Sequence, residues 1–260
     1  KQVRYASIDF GDSAIVPGKP ADVLARLYGD CKDQATLLVG LLRARGIDAS
    51  VVLLRAGRFR DVDPELPALG AFNHVIVRIE GTPPVYVDPT SPYHRARELP
   101  GMDEGRWGLV CRKGVASLER LPEGSALSHV DATETEVRLA PFGKGSIREV
   151  ILPSGRFEAE YRSAWDGVTE ANRRKSFERA VENGYGKGVL RSYDVPPTRD
   201  LSQPFRVTIE AERVGIAVTD DANAVFALNR GSILSRLPRP GEKKRRLDLA
   251  TEPFVERVTY

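Results

Sequence analysis

Between Gly29 and Gly46 the chain has little choice but to form a helix, and that helix shows almost no polar side. Gly29-Asp30 supplies a turn and an N-cap, because an Asp side chain can accept a hydrogen bond from one of the backbone N–H groups left free in a first helical turn. Gly46 supplies the C-terminal stop. Ala35, Leu38, Val39 and Leu42 make one stripe, and Leu37, Leu41 and Ala44 fill the adjoining face, so little of the circumference between Ala35 and Leu42 is polar. This pattern predicts a helix buried at the centre of its domain.

The helix opens on a cysteine. In Tyr28-Gly29-Asp30-Cys31-Lys32-Asp33, Cys31 occupies the first helical position. Only a thiolate attacks a carbonyl, and both a helix N-terminus and a nearby imidazolium favour it. Downstream come Asn73-His74-Val75, at the head of the apolar run ending at Ile79, and Asp88, which closes Val85-Tyr86-Val87 before Pro89-Thr90. A nucleophile, a base and an orienting acid therefore follow one another in the chain. Taken singly, each residue has an ordinary reading: a core thiol, a satisfied histidine at a strand end, a turn aspartate. The ordered combination favours chemistry. The same side-chain types can also hold zinc, although no Cys/His cluster has metal-ligand spacing, and no cofactor is expected.

These segments also carry a resemblance. Tyr28 to Asp33, Leu42-Arg43-Ala44-Arg45-Gly46-Ile47-Asp48-Ala49, Phe72-Asn73-His74-Val75 and Val87-Asp88-Pro89-Thr90 resemble the bacterial transglutaminase-like superfamily, whose members have a papain-like Cys-His-Asp core. The likeness covers roughly residues 1 to 115, and Leu109-Val110-Cys111 looks like the closing strand of that core. It implies Cys31 as nucleophile, His74 as base and Asp88 as the residue orienting it. It also implies an α+β core, a central helix against an antiparallel sheet, acting on peptide or protein amides through a thioester. Animal transglutaminases carry an aromatic residue just after the nucleophile. Lys32 stands here, so their calcium-dependent crosslinking does not carry over.

Composition narrows the partners. A net charge of +3 over 260 residues is too small to imply nucleic-acid binding. The one dense basic run, Lys243-Lys244-Arg245-Arg246, follows Pro238-Arg239-Pro240-Gly241 and reads as a solvated loop. No stretch approaches the ~18 apolar residues of a membrane span. The expected partner is a peptide or protein substrate, with oligomeric state left open. Two cysteines could form one disulfide, but that bond would silence Cys31, so both are expected to be reduced. Lys1 in place of an initiating methionine suggests an excised or processed piece, compatible with an extracytoplasmic protein whose targeting segment has been removed.

Residues 1–122 are expected to form the catalytic core. A short helix spans Pro20 to Leu27, and strands follow the Cys31 helix at Ala49–Leu54, His74–Glu80, Val85–Asp88 and Trp107–Cys111. The Gly-, Pro- and Asp-rich stretch from Arg55 to Phe72 reads as a cleft wall or a surface excursion. Val3-Arg4-Tyr5-Ala6-Ser7-Ile8 reads as a strand or a helix end, and Gln2-Val3-Arg4-Tyr5 looks like the tail of the core's first helix, the rest of which the resemblance places before Lys1. Leu121-Pro122-Glu123-Gly124-Ser125 is a linker, and 130–260 a β-rich, sandwich-like domain. There, alternation marks strands around Val137, Val150, Phe157-Ala159-Tyr161, Phe205 to Ala211 and Phe254 to Tyr260, with one helix ending at Gly184. Glu158, Glu160 and their arginine neighbours read as a solvent face carrying no catalytic group.

Two points bear on mechanism. An oxyanion hole needs at least two donors; the Cys31 backbone N–H is one, and Tyr28, Tyr5 and Gln2 are candidates for the second. If His74 and Asp88 sit on paired antiparallel strands, they share a face only when the connecting loop has an odd number of residues or a strand bulges. Gly81 to Pro84 alone would have the wrong parity. Up to the thioester, hydrolysis and transamidation share one chemistry, with hydrolysis slightly favoured by the lack of an acceptor signature. The alternative is a non-catalytic peptide-binding module that keeps the fold.

Overall fold

The computed structural model describes residues 3–7, 15–57, 60–66, 68–140, 144–220, 222–226 and 255–259. Gln2, Phe254, Tyr260 and the basic run 243–246 lie outside the described residues. The chain divides into two units, Lys1–Gly124 and Ser125–Tyr260, and helices mix with largely antiparallel sheets in an α+β arrangement.

In the first unit, β1 (Arg4–Tyr5) runs parallel to β2 (Tyr28–Gly29), flanking α1 (Pro20–Arg26). Of the two readings, strand or helix end, Arg4–Tyr5 takes the strand, and the helix tail implied by the resemblance is not what its described part forms. Arg4 donates its N–H to the Leu27 carbonyl and Ala6 to the Gly29 carbonyl, so pairing with β2 satisfies the extended backbone.

α2 (Cys31–Ala44) follows, then a sheet in the order β5-β4-β3-β6-β7. Its strands are β3 (Ala49–Leu54), β4 (His74–Ile79), β5 (Val85–Val87), β6 (Trp107–Arg112) and β7 (Val115–Arg120), every pair antiparallel. The seventh strand is additional to those expected from sequence. Arg112 pairs with Val115, so Lys113-Gly114 is a two-residue hairpin turn, with Gly114 at φ 78°.

Both sheet faces are apolar, which explains why β3 alternates so weakly. Ala49 and Val77 meet Ala35 and Val39 of α2 on one side. On the other, Val52, Leu54, Ile76, Tyr86 and Val110 pack with Leu99 and Leu121. α2 is buried less completely than its apolar circumference predicts. Asp33 to Ala35, Leu37 and Val39 are buried, but Leu41 is 50% exposed. The sheet covers one flank, α1 packs against the helix as well, and the last turn stays in water.

The second unit is a five-stranded sheet, order β10-β11-β9-β8-β14. It comprises β8 (Val130–Arg138), β9 (Gly145–Pro153), β10 (Val189–Asp194), β11 (Val207–Val214) and β14 (Val255–Thr259), the last parallel to β8. Two helices, α3 (Arg156–Trp165) and α4 (Glu170–Gly184), complete it, with a separate hairpin of β12 (Ala217–Thr219) and β13 (Ala224–Phe226). Phe177 and Val181 of α4 bury against Ile147, Leu190, Val207 and Ile209. A helical layer therefore sits where the sandwich expectation put a second sheet. Trp165 stacks on Phe177 at 4.8 Å.

Phe157-Ala159-Tyr161 is α3 rather than a strand. Phe157 and Tyr161 are four apart and serve a helical face as well as an alternating one. Glu158 and Arg162, expected in solvent, are buried and paired.

Candidate active site

Cys31 is held by a packed polar collar at the start of α2. Asp30 is the N-cap, in extended backbone conformation, its Oδ1 accepting the Asp33 N–H at 3.2 Å, and its other oxygen pairs with Lys32. Asp33 accepts the Gly18 N–H at 2.7 Å and binds the Arg26 guanidinium. Gln34 donates from Nε2 to the Gly29 carbonyl at 3.0 Å, which also accepts from Ala6. Gly29 is required by close approach: an added Cβ would stand 2.6 Å from the Asp33 Cβ, and Asp33 is tied on both sides. As the first helical residue, Cys31 has a backbone N–H with no intrahelical acceptor.

His74 opens β4, and Asp88 follows β5 directly. Ile79 pairs with Val85 and Val77 with Val87, so the loop comprises the five residues Glu80 to Pro84. That odd number places His74 and Asp88 on one side of the sheet. His74 Nε2 lies 3.1 Å from Asp88 Oδ2, and the Cys31 side chain is the second neighbour that favours the charged imidazole. With Nε2 on Asp88, Nδ1 is the nitrogen left for the thiol. Asp88 Oδ1 accepts two bonds from Thr90, from its N–H at 2.8 Å and its hydroxyl at 2.7 Å. This local turn stops the carboxylate from rotating away from His74.

A fourth group belongs to this cluster and had no expectation attached to it. Asp103 is 0% exposed, neither of its oxygens receives a hydrogen bond from an N–H or hydroxyl donor, and the carboxyl group beside it is that of Asp88. Its carboxyl, that of Asp88 and the His74 ring offer atoms all within 4.8 Å of one another. It sits in an irregular turn where Asp103 donates its N–H to Pro100. No periodicity marks such a residue, and Met102-Asp103-Glu104-Gly105 reads as a solvated bend.

The electrostatics follow from burial and neighbours. Burial alone would lower the His74 pKa, but the bonds to Asp88 and Cys31 and the charges of Asp88 and Asp103 raise it to about 10. Burial works against the Asp88 carboxylate, and the bond to His74, its charge and the Thr90 bonds hold its pKa below the usual value. Asp103 is pushed up to about 7, first by burial and then by Asp88, against the pull of His74 and Arg106. At neutral pH the cluster thus holds an imidazolium against a carboxylate. A metal cation would have to displace this tightly held proton before His74 could ligate it.

These shifts have a direction in stability. His74 gains its proton more readily in the folded state, so its contribution is complete below about 6.5, its unfolded value, and disappears as pH rises through about 10. The lowered Asp88 pKa is the same ion pair seen from its acid side, lost as pH falls. Urea unfolding at pH 6, 8 and 10 should show the wild-type protein weakening over that range more than His74→Gln. Parallel declines in the two proteins would exclude the pair as their source.

The proposed second oxyanion donors are less closely engaged. Tyr28 is 40% exposed, its ring 5.2 Å beneath the Arg26 guanidinium. Tyr5 is 54% exposed, its backbone paired with Gly29. Gln2 lies outside the described residues. Cys31 and Cys111 are both free thiols. Burial pushes the Cys111 thiol up, and its Sγ points to the Leu109 carbonyl at 3.7 Å.

No family model matches the chain, and no curated protein matches it. Among solved structures it is similar to a protein of Parabacteroides distasonis named as a candidate protease, at 12% identity and a TM-score of 0.33. The match covers 82% of this chain and 43% of the other, so the chain spans less than half that neighbour's length. Likeness at this level bears on neither fold nor function.

Proposed function

We propose that the chain is a thiol-dependent acyl-transfer enzyme acting on peptide or protein amides, with Cys31 as nucleophile, His74 as acid and base, and Asp88 orienting His74. The observation that carries this reading is the 3.1 Å pairing of His74 with the buried Asp88, with the Cys31 side chain acting on the same imidazole. The order Cys, His, Asp on a helix start, a strand start and a strand end supports assignment to the transglutaminase-like superfamily and a papain-like core for the first unit.

The Cys31 sulfur attacks the amide carbonyl carbon, forming a C–S bond and an oxyanion beside the Cys31 backbone N–H. The C–N bond then breaks as His74 gives its proton to the departing amine, leaving a thioester. Water resolves it by losing a proton to His74, which returns that proton to the thiol as the acid leaves. An amine in place of water would give transamidation. Asp88 stays ionised throughout and keeps the ring aligned.

Brief iodoacetamide treatment near neutral pH, followed by mass mapping, tests the reading. Cys31 should be alkylated well before Cys111, whose thiol burial keeps protonated. Thiol counting in denaturant without reductant should find two. Faster labelling of Cys111, or a Cys31 no more reactive than a free cysteine, would remove the nucleophile and leave a binding module.

A further inference from the structure

Asp103 is hard to explain as packing. A buried polar group without a partner is destabilising by about 1–3 kcal/mol, and an apolar residue of similar volume would serve the core beside Leu99 better. The carboxyl stands instead within 4.8 Å of the two groups that carry the proposed chemistry. The groups facing it are His74 from β4, Asp88 from the end of β5 and Arg106 from its own turn, with Cys31 beyond His74.

The bonding of Asp88 shows where Asp103 can act. A carboxylate has about four lone-pair sites. Two on Oδ1 take the Thr90 N–H and hydroxyl, and one on Oδ2 faces His74. One remains. Two neighbouring carboxylates in a buried site do not both ionise readily, so one keeps a proton. Asp88, bonded to His74 and twice to Thr90, is the better anion. Asp103, with no bond to stabilise its charge, is the better acid.

We propose that Asp103 is a positioning residue for the triad: as a neutral acid it donates its O–H to the remaining lone pair of Asp88 and so holds Asp88 as the ionised partner of His74. This rests on the reading of Cys31, His74 and Asp88 as a catalytic centre. When Asp103 loses its proton, the O–H bond becomes charge repulsion, Asp88 is freed to move, and the extra negative charge strengthens the grip on the His74 proton. A proton held more tightly is given less readily to a leaving amine. Asp103 thereby sets how that centre responds to pH near neutrality.

The test uses the full chain as wild type, Asp103→Asn and Asp103→Leu. Carbon-13 NMR of the wild-type Asp103 carboxyl should show it protonated at pH 5 and titrating near neutrality, where burial places it. Asparagine keeps a donor to Asp88 without the charge. Asp103→Asn should therefore keep the wild-type rate of Cys31 alkylation by iodoacetamide, while its His74 ring loses its proton at lower pH. Leucine removes the donor, and Asp103→Leu should alkylate about tenfold more slowly, the equivalent of one pKa unit on the triad.

A filler role for Asp103 would change only the unfolding midpoint and leave the His74 titration where it is. An Asp103 already ionised at pH 5, or a His74 titration identical in wild type and Asp103→Asn, would overturn the proposal. Should Asp103→Leu not fold, those two measurements decide alone. Failure of Cys31 to label ahead of Cys111 in the wild type would reject the acyl-transfer reading instead, while the His74 titration would still report on Asp103.

Discussion

On the proposed acyl-transfer reading, hydrolysis of peptide amides should fall by about 10²–10⁴-fold when His74 is replaced by alanine, the range general acid–base catalysis supplies. The imidazole pairs with the buried Asp88 carboxylate at 3.1 Å and is the group on which the Cys31 side chain also acts. Without it nothing protonates the leaving amine or activates the resolving water. A mixed peptide library read by mass spectrometry would measure the loss. His74→Ala should remain folded, since His74 opens its strand and is not among the residues of the two apolar clusters that flank the sheet. Asp88→Asn should fall between wild type and His74→Ala, because the asparagine amide offers a donor to Nε2 and turns the ring into the wrong tautomer. Unchanged hydrolysis in His74→Ala would remove the acid–base role altogether.

The largest stability effect should come from the second unit. Arg162 is 1% exposed. Its Nε and Nη2 donate to Glu158 at 2.9 and 2.7 Å, and the remaining N–H groups reach the carbonyls of Thr198 at 3.0 Å, Asp200 at 2.8 Å and Gln203 at 2.7 Å. The guanidinium carbon also lies 4.9 Å over the Phe205 ring. Glu158 in turn accepts the Phe205 N–H at 3.2 Å. One side chain thus ties α3 to the stretch from Pro197 to Phe205. Arg162→Ala would bury an unpaired carboxylate and orphan several carbonyls, a loss of about 3–5 kcal/mol. A domain's whole stability is only about 5–15 kcal/mol, so urea unfolding should show the change plainly. Arg162→Lys should recover little, because an ammonium cannot reproduce the planar fork. A change under about 1 kcal/mol would mean that these bonds are replaced by water as the segment relaxes.

Several elements are legible in the amino-acid sequence. The Asp30 cap and Gly46 stop bound α2 because both act through local backbone chemistry. The apolar runs of β3 and β4 begin where expected, at Ala49 and His74. The parity argument for His74 and Asp88 also held, through the five-residue loop. Errors arose where two periods coincide or where a polar residue finds a distant partner. Phe157 and Tyr161 satisfy both strand and helix spacing, and burial of Glu158 depends on Arg162 and on a segment some forty residues away.

Local sequence alone was enough for the start of α2 at Cys31, for the strand that His74 opens and for the strand that ends just before Asp88, and it set an odd loop or a bulge as the condition for the two to share a face. All follow from capping, turn chemistry and side-chain alternation acting over a few residues. That Asp103 joins them, that Arg162 and Glu158 lie inside, and that helices rather than a second sheet cover the β-rich unit follow from long-range packing. Those outcomes depend on which surfaces meet, and the cost of a buried charge is set by partners that no local pattern reveals.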